Sequence, residues 1–458
     1  MDDCICPLDY RYGRKEMKRI FSEEGRILYQ MKVEAALAKA HATLKTISHE
    51  DAKEIERVSN LDVVKVSRIK EIEKDTNHDL MAMVKAMTEK CNGDAGKYVH
   101  LGATSNDIVD TATALQIKEA LKVIDSDVSD MLLTLATIAK RERRTLQVGR
   151  THAQFAIPIT FGFKMAGYIA ELLRHRERIQ EIVPRACAGK MAGAVGTGAA
   201  LGDNFLRIQT EVMMNLGLTY EPAATQVVGR DRYTELICLL ANIGTTMERL
   251  GTEIRNLQRS EIAEVSEPFN SDKQVGSSTM PQKRNPISSE NVTGLARILR
   301  GLVVPTFENQ VLWHERDLSN SSAERFTIPH AFTLLDEMIV KMNTVMGGLE
   351  VHSDRMLRNM ESARGLIMAE PMMILMTSKG IGRQDAHEIM RESSMEALRR
   401  DVDLTVILLE RRDVTSVLTE REIRDRMNPL GYIGKSVEIT DSMVKSVEMM
   451  REMMPHGL

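Results

Sequence analysis

The sequence predicts an all-α protein, and three observations support this prediction. Apolar residues recur at spacings of three and four over several long stretches, which is the period of a helix that buries one face. No stretch sustains the alternation of apolar and polar residues that marks a half-buried strand. Only 4% of the residues are aromatic while 30 are methionine, a composition typical of aliphatic helix packing.

The first long helix is predicted within residues 113–141. No glycine or proline interrupts this stretch, so nothing in it favours a kink or an early end. Its apolar stripe predicts one continuous helix. The stripe consists of Leu121, Ile124, Val128, Met131, Leu135 and Ile138.

A second long helix is predicted after Asp231, a good N-cap residue. Two further helical stretches are predicted at 161–183 and 287–312, the latter bent near Pro305. Together these helices are long enough to form an elongated bundle. The stripe of the second helix consists of Leu236, Leu240, Ile243, Met247, Leu250, Ile254 and Leu257.

A chain of 458 residues exceeds the usual size of a single core, so two or three domains are expected. Shorter helical patterns precede the first long helix, and short amphipathic helices separated by polar turns follow the last one. We therefore predict an N-terminal helical domain at 1–111, a central long-helix bundle at 112–362 and a C-terminal helical domain at 363–458.

The narrow aliphatic stripes also bear on assembly. Long helices with such stripes commonly need partner helices from other subunits, which favours a homo-oligomer. The alternative is a bundle that covers its stripes within one chain, and periodicity alone leaves both open.

Charge and cysteine content exclude several classes of protein. With 61 basic and 65 acidic residues the formal net charge is −4, so no general attraction to nucleic acid or to an anionic membrane is expected. The five cysteines lack CxxC spacing, which indicates neither a disulfide framework nor a zinc site. Without a signal-like or membrane-spanning apolar run, a cytoplasmic protein is expected.

The most informative segment is GSSTMPQKRNP at 276–286. Gly276 and the serines allow a mobile loop, and Lys283 and Asn285 can hold a carboxylate. A new helix follows with Pro286 near its first position, and its N-terminus should favour anions. A six-residue piece of this segment could be an ordinary serine-rich turn, but the whole segment predicts an anion-binding lid.

This segment resembles the signature of the fumarase/aspartase superfamily. The superfamily builds its active site from three segments, and the other two are similar to HLGATSNDIVDTA at 100–112 and GRTHAQFAIPIT at 149–160. The resemblance implies a three-domain fold whose central long-helix bundle forms the core of a homotetramer. Alone, His152 would more often be a structural histidine and TSND a helix cap, but together the three segments favour the functional interpretation.

A glycine-rich segment, AGKMAGAVGTGAALG at 188–202, could suggest a phosphate-binding loop. It matches neither GxGxxG nor GxxxxGK[ST], the two spacings that place backbone amides around phosphates. We therefore interpret it as a tight structural loop near the active site.

Three more segments resemble the adenylosuccinate lyase family: LWHERDLSNSSAERFTIP at 312–329, TQVVGRDR at 225–232 and DYRYGRKEM at 9–17. Their side chains suit a nucleoside monophosphate, because arginines offer forked donors and serines offer hydroxyls. For HERD alone, surface salt bridges would be the favoured explanation, but the resemblance extends over nearly the whole chain and favours ligand contact. The residues expected to bind substrate here are Arg11, Gln226, Arg316, Ser321, Ser322 and Arg325.

The resemblance also assigns catalytic roles. It implies Ser277 as the base, His152 as the general acid on the leaving nitrogen, and Glu290 as the partner of the acid histidine. His78, in EKDTNHDLMAM, would bind or position substrate, with a share in proton transfer left open. Lys283 and Asn285 would bind the growing carboxylate charge. Further implied substrate contacts are Tyr12, Asn77, Asp79, Thr104, Ser105, Thr151, Ser278 and Asn291.

Two positions depart from many members of the family. Asn77 stands where bacterial relatives often carry Arg, so one positive charge is missing and its substitute is unknown. Gln282 stands where many adenylosuccinate lyases carry His, a choice found in argininosuccinate lyases.

The activity implied by the resemblance is β-elimination without a cofactor. Fumarate would be released from adenylosuccinate, giving AMP, and from the succinocarboxamide ribotide SAICAR, giving AICAR. Each active site of the homotetramer would combine segments from three subunits. Two alternatives are another fumarate-releasing member such as argininosuccinate lyase and a catalytically silent helical scaffold, although the intact Ser277, His152, Lys283 and Glu290 argue against the scaffold.

Overall fold

A computed structural model describes residues 4–269, 279–280 and 282–453. The chain divides into two compact units. The first comprises Met1–Ser129, Arg174–Met247 and Thr293–Val340, and the second comprises Asp130–Leu173, Glu248–Val292 and Lys341–Leu458. The divisions fall inside five helices: α7 (Ser105–Arg141), α8 (Phe161–Ala186), α10 (Asp231–Leu257), α11 (Ile287–Gly301) and α13 (Ser319–Gly347).

The first unit adds eight further α-helices and one small parallel sheet within the described residues. Its core is formed mainly by aliphatic and methionine side chains of the N-terminal helices and α9. The helices are α1 (Pro7–Tyr10), α2 (Lys15–Phe21), α3 (Glu23–Thr43), α4 (His49–Val58), α5 (Val66–Thr76), α6 (Asp79–Thr88), α9 (Phe205–Leu216) and α12 (Val303–Glu308). The strands are β3 (Ala188–Gly189) and β4 (Thr219–Tyr220).

The second unit adds a set of C-terminal helices and two antiparallel strand pairs. Its core is rich in methionine, whose flexible side chain fills irregular gaps between short helices. The helices are α14 (Ser353–Glu361), α15 (Ala369–Ser378), α16 (Arg383–Arg400), α17 (Leu404–Glu410), α18 (Arg412–Thr415), α19 (Glu420–Arg426) and α20 (Ser436–Met453). The strand pairs are β1 (Leu146–Thr151) with β2 (Gln154–Thr160), and β5 (Val265–Ser266) with β6 (Glu350–Val351).

The predicted all-α fold and its two long stripes are confirmed. Every residue of the stripes on α7 and α10 is at most 3% exposed. Helix α7 starts earlier than the stripe alone predicted, at Ser105, because Thr104 and Asp107 cap its first turn. The three domains predicted from the sequence remain a prediction.

Two details of the prediction were wrong. The segment that carries His152 is a β-hairpin, although its alternating Phe155, Ile157 and Ile159 were not recognised as a strand. The single bent helix predicted at 287–312 is two helices, because α11 ends at Gly301. Pro305 cannot donate a hydrogen bond to the carbonyl of Gly301, so the proline sits in the first turn of α12 instead.

The stripes also do not support the argument for oligomerisation, because they are buried within one chain. Large apolar side chains are instead exposed from the last turn of α11 to the residue before α13. Each of the following is more than half exposed: Ile298, Val304, Phe307, Val311, Trp313 and Leu318. In the described part of the chain, no helix combines the length and apolar character needed to cross a membrane.

Helix α8 begins in close contact with the end of α7. The Gly162 amide donates to the Glu142 carbonyl at 3.0 Å, and the Phe161 amide donates to the Thr145 carbonyl at 2.8 Å. A Cβ atom at Gly162 would lie 2.6 Å from both the Ala139 carbonyl oxygen and the Arg143 Cα. Backbone atoms cannot yield cheaply, so only glycine fits here.

We therefore expect Gly162→Ala to lower the free energy of unfolding by about 1–3 kcal/mol through overpacking. Gly167→Ala is a matched control in the same helix, because a Cβ atom there would meet nothing within 4 Å. The control should be neutral or more stable by up to about 1 kcal/mol, since alanine favours the helix. Thermal unfolding of both variants tests this, and equal melting temperatures would contradict it.

Candidate active site

His152 lies at the tip of the β1–β2 hairpin. Thr151 pairs with Gln154, so His152 and Ala153 form a two-residue turn. Their φ angles are 53° and 61°, the left-handed conformation that such tight hairpin turns require and that usually selects Asn or Gly. The side chain of His152 is exposed in a single chain. The turn thus presents the imidazole at the end of a defined ribbon.

A buried carboxylate anchors this hairpin. Arg150 donates from Nη2 to Glu264 Oε1 at 2.6 Å and from Nη1 to Glu264 Oε2 at 3.1 Å. Gln147 Nε2 donates to Glu264 Oε2 at 2.6 Å. Burial raises the pKa of Glu264, but hydrogen bonds from Arg150, Asn359 and Gln147 outweigh it and hold that pKa below the usual value. Glu264 is therefore a charged anchor for strand β1.

The described part of the predicted lid lines a cleft of about 760 Å³ in the second unit. Lys283, Asn285 and Glu290 all contribute to its wall, together with Arg255 and Arg259. The cleft therefore brings together one predicted catalytic residue and two predicted carboxylate ligands. Gly276, Ser277 and Ser278 lie outside the described residues.

The start of α11 is not the open anion site that the sequence suggested. Glu267 Oε1 accepts from the Ser289 amide at 2.7 Å, and Glu267 Oε2 accepts from the Ser288 amide at 3.2 Å. A carboxylate of the protein thus already occupies these amides, which would otherwise attract an external anion. These two amides are therefore not free to bind a substrate anion, as the sequence had suggested.

In the first unit, the TSND segment caps α7 and also fixes the glycine-rich loop. Asp107 Oδ2 accepts from the Thr104 amide at 2.8 Å. The same carboxylate accepts from the amides of Ala192 and Gly193 at 2.8 and 3.0 Å, and it pairs with the fully buried Lys190. Two loop amides are thus bound to a carboxylate rather than facing a phosphate. The interpretation of a tight structural loop is confirmed.

Thr104 itself lies just before α7, and Ser105 is its first residue. Both residues are partly buried. The cap formed by Asp107 fixes the backbone from which their hydroxyls project. Thr104 and Ser105 therefore remain a predicted contact for a dicarboxylate.

Asp79 connects two arginines in the first unit. Its Oδ2 atom accepts from Arg325 Nη2 at 2.9 Å and from Arg26 Nη1 at 3.3 Å. Burial raises the pKa of Asp79, but the hydrogen bond from Arg325 and the charge of Arg26 together lower it by more. The pKa of Asp79 is therefore below its usual value. Asp79 thus orients Arg325, a predicted phosphate ligand, rather than offering a free carboxylate.

The neighbouring residues have clear backbone roles. His78 is the N-cap of α6, and its Nδ1 accepts from the Met81 amide at 3.4 Å, so chemistry at this ring would use Nε2. Asn77 ends α5 with φ 49°, a left-handed conformation that asparagine tolerates better than arginine does. This gives a structural reason for asparagine at position 77.

Arg316 lies beside Gln226, and both are residues expected from the sequence to bind substrate. Its Nη1 donates to Gln226 Oε1 at 2.9 Å. A buried arginine nearby ties these segments together, because Arg230 donates to Asp110 at 2.7 Å and to Glu324 at 2.9 Å. Ser321 and Ser322 lie in the first turn of α13.

The N-terminal segment that carries Arg11 and Tyr12 is held by the residues just after it. Arg14 Nη2 donates to Asp127 Oδ2 at 2.6 Å, and Arg14 Nε donates to Asp336 Oδ1 at 3.1 Å. The Gly13 amide donates to Glu337 at 3.0 Å. One guanidinium therefore joins two buried carboxylates at the base of a predicted substrate-binding segment.

Not all predicted partners meet in one chain. Among the described residues of a single chain, His152 and Glu290 form no hydrogen bond with each other. Asn291 is close to Lys341, whose Nζ donates to its Oδ1 at 2.6 Å. The described residues contain no cluster of three or more His, Cys, Asp or Glu side chains suited to a metal ion.

Comparison with known proteins identifies the family. A model described as "Lyase" matches residues 10–301, and one described as "Adenylosuccinate lyase C-terminus" matches residues 365–443. Adenylosuccinate lyase of Pyrococcus horikoshii is 48% identical over 97% of this chain and 98% of its own. The enzyme of Methanocaldococcus jannaschii is 44% identical over 97% of this chain and 96% of its own. The chain belongs to the adenylosuccinate lyase family.

Solved structures show that members of this family share their fold with enzymes of other names. A fumarate lyase from Mesorhizobium sp. BNC1 superposes with a TM-score of 0.87 at 30% identity, covering 94% of this chain and 98% of its own. The 3-carboxy-cis,cis-muconate lactonizing enzyme from Pseudomonas putida gives 0.88 at 30% identity, covering 97% and 99%. The fold therefore does not decide the substrate.

Sequence reasoning missed the structural roles of several charged residues in or near the predicted site segments. They are buried or half-buried charged residues that orient predicted site residues, and they include Arg14, Arg26, Lys190, Arg230, Glu264, Glu267 and Lys341. The one available signal was their proximity in sequence to the recognised segments, as for Glu264 and Glu267 before the lid. Charge alone does not distinguish a buried acid from a solvated one.

The contacts of Arg14 with Asp127 and Asp336 should make the stability of the folded chain depend on pH. Burial raises the pKa of Asp127 to about 7; the charge of Arg14 opposes this rise and Asp336 adds to it. The unfolded chain releases this proton near pH 3.9, so between about pH 4 and 7 the folded chain binds more protons and loses stability as pH rises.

We expect Asp127→Asn to remove this loss. We therefore expect the melting temperature of the wild type, minus that of Asp127→Asn, to decrease as the pH rises from 5 to 8. Both proteins are measured at the same fixed concentration. Asp130→Asn, an exposed change on the same helix, controls for net charge. A difference that stays constant across this range would disprove the assignment.

Proposed function

We propose that the chain releases fumarate from adenylosuccinate, leaving AMP, and from SAICAR, leaving AICAR, in purine nucleotide biosynthesis. The observation that carries this proposal is the sequence identity of 44% and 48% to two proteins named adenylosuccinate lyase, over 97% of this chain in each case. The local geometry is compatible with it, because a cationic cleft suits a succinyl group and a separate arginine-rich region suits a phosphate.

Lys283 and Asn285 suit the carboxylate whose charge grows during elimination. Removal of the proton beside a carboxylate spreads negative charge onto its oxygens, and a fixed ammonium and amide then bind more strongly than in the ground state. Because the start of α11 is occupied by Glu267, these side chains supply the local positive potential that the helix does not.

The proton transfers would be divided between two residues. Ser277 would take the proton from carbon, and His152 would give a proton to the departing nitrogen as the carbon–nitrogen bond breaks and the double bond of fumarate forms. Glu290 would support the charged imidazole, and His78 would position the substrate. Placement of His152 on a tight hairpin turn supports its role as a positioned acid.

The phosphate would be bound in the first unit. Arg11, Tyr12, Ser321, Ser322 and Arg325 supply donors that match phosphate oxygens. Asp79 would aim Arg325 by holding one side of its guanidinium. Arg316 and Gln226 would contact the remaining polar groups of the nucleotide.

We further propose a homotetramer in which three subunits contribute to each site, with no membrane or nucleic acid partner. Six apolar side chains from Ile298 to Leu318 are each more than half exposed in a single chain, and an interface would cover them. His152 is exposed at a hairpin tip and does not meet Glu290 in its own chain, which supports an acid donated to another subunit. Five free cysteines suit a reducing cytoplasm.

Purified wild type incubated with adenylosuccinate, without added metal or cofactor, should release AMP and fumarate in equal amounts. Ser277→Ala should lower kcat by about 10² to 10⁴, the usual contribution of a general base, with an unchanged melting temperature. Fumarate release from argininosuccinate but not from adenylosuccinate would refute the substrate, and silence on both would indicate a scaffold.

Active sites shared between subunits can be tested with two variants. Ser277→Ala and His152→Ala should each be nearly inactive, but mixed tetramers formed by subunit exchange between them should regain activity. If each site takes these residues from different chains, about one site in four receives both intact residues on random reassortment. A mixture that stays inactive although mass measurements show mixed tetramers would place both residues in one chain.

A further inference from the structure

We propose that the four-residue segment Glu264–Glu267, here called the EVSE bracket, positions both the acid histidine and the start of the helix that carries Glu290. Glu264 would act on the His152 hairpin and Glu267 on α11, so both are positioning residues. The proposal rests on the function proposed above for the roles of His152 and Glu290. Its structural basis lies entirely within the second unit.

The first arm of the bracket is Glu264, which is fully buried. Three side chains donate to its two oxygens: Arg150 and Gln147 from the hairpin, and Asn359 Nδ2 at 2.8 Å from α14. Arg150 also lies over the ring of Phe155 on β2, with 5.3 Å between Cζ and the ring centroid. Since Arg150 lies two residues before His152, fixing this guanidinium fixes the strand that leads into the turn.

The second arm is Glu267, which is 7% exposed. Its carboxylate accepts from the Ser288 and Ser289 amides in the first turn of α11. Glu290 is the next residue of that turn, so the direction of its side chain depends on this cap. The backbone is held as well, because the Glu267 amide donates to Gln258 Oε1 at 2.9 Å and Gln258 Nε2 donates to the Arg284 carbonyl at 3.1 Å.

Strand geometry explains how one short segment can serve two elements. Successive residues of an extended chain point to opposite faces, so residues three apart, such as Glu264 and Glu267, diverge. Strand β5 between them pairs with β6 through Val265 and Ser266. His352 reinforces the pair, because its amide donates to the Glu264 carbonyl at 2.9 Å and its Nε2 lies 2.9 Å from Ser266 Oγ.

The effect on the reaction should appear in kcat. A bound substrate can tolerate a loosened hairpin, but proton delivery to the leaving nitrogen requires the imidazole within hydrogen-bonding distance in the transition state. Loss of the Glu264 charge leaves the half-buried Arg150 without its main partner, so the hairpin should shift or open. An interaction that matters only in the transition state lowers kcat and kcat/KM together.

The test of the first arm is Glu264→Gln. We expect kcat for adenylosuccinate to fall about 10- to 100-fold with KM little changed, as a displacement of about 1 Å at a catalytic group predicts. Amide hydrogen exchange read by mass spectrometry should rise in residues 146–160 and stay unchanged in residues 284–290. Glu264→Asp, which keeps the charge, should recover part of the activity.

A double-mutant cycle shows whether Glu264 acts through Arg150. If it does, Arg150→Gln and Glu264→Gln combined should lower kcat no further than the worse single variant. Additive losses would mean that Glu264 acts by another route and would overturn this arm.

The test of the second arm is Glu267→Ala. Removal of the cap should raise amide exchange in residues 284–290 and leave residues 146–160 unchanged, with a lower kcat. Glu253→Gln is the matched control, because Glu253 also pairs with a cation in this unit, Lys164 Nζ at 2.5 Å. Within the described part of the chain, Glu253 forms no hydrogen bond with Glu264 or Glu267. It should preserve both kcat and the exchange of both segments.

Two results would overturn the bracket. One is unchanged local exchange in Glu264→Gln and Glu267→Ala. The other is raised exchange with a kcat equal to that of the wild type, which would leave only a structural role. If the wild type itself does not act on adenylosuccinate, the proposed function is wrong, while the exchange measurements still decide whether the bracket holds its two elements.

Discussion

A carboxylate removed from water must find cations or backbone amides to replace its hydration, and this requirement shapes the functional segments of the chain. Asp107 joins the TSND segment to the glycine-rich loop. Arg230 pairs with both Asp110 on α7 and Glu324 on α13 and so joins these two helices. Glu264 joins the β1–β2 hairpin to Asn359 on α14. Without these contacts, the segments would have more conformational freedom relative to one another. Buried acids thus convert separate pieces of sequence into fixed positions.

The same requirement decides where an external anion can bind. Helix starts and glycine-rich loops attract anions because their amides are unsatisfied, but here the amides of Ser288, Ser289, Ala192 and Gly193 are bound to carboxylates of the protein. In the proposed function, recognition of substrate charge would therefore fall to side chains such as Lys283. Side-chain cations on long stems can adapt to two related substrates more readily than a fixed ring of amides.

The sequence was sufficient for features that repeat or that form long motifs. The stripes of α7 and α10 were predictable because burial of one helix face imposes a period, and each predicted stripe residue is buried. The hairpin was missed because its turn is His152–Ala153 rather than Asn-Gly. The bracket was missed because Glu264 and Glu267 look like ordinary surface acids until their partners, distant in sequence, are known. Contacts between residues far apart in the sequence produce no local periodicity, so sequence patterns could not predict them.

The turn at His152 and Ala153 has a consequence for how this sequence can change over time. Two successive left-handed residues other than glycine cost on the order of 1–3 kcal/mol each, and Asn or Gly would relieve that cost. Mutation under selection for folding alone would therefore drift toward those residues at position 152, and neither has a side chain that can donate a proton near neutral pH. In the proposed function, histidine at position 152 would therefore provide a proton donor at a cost in the free energy of unfolding, so this turn exchanges stability for chemistry.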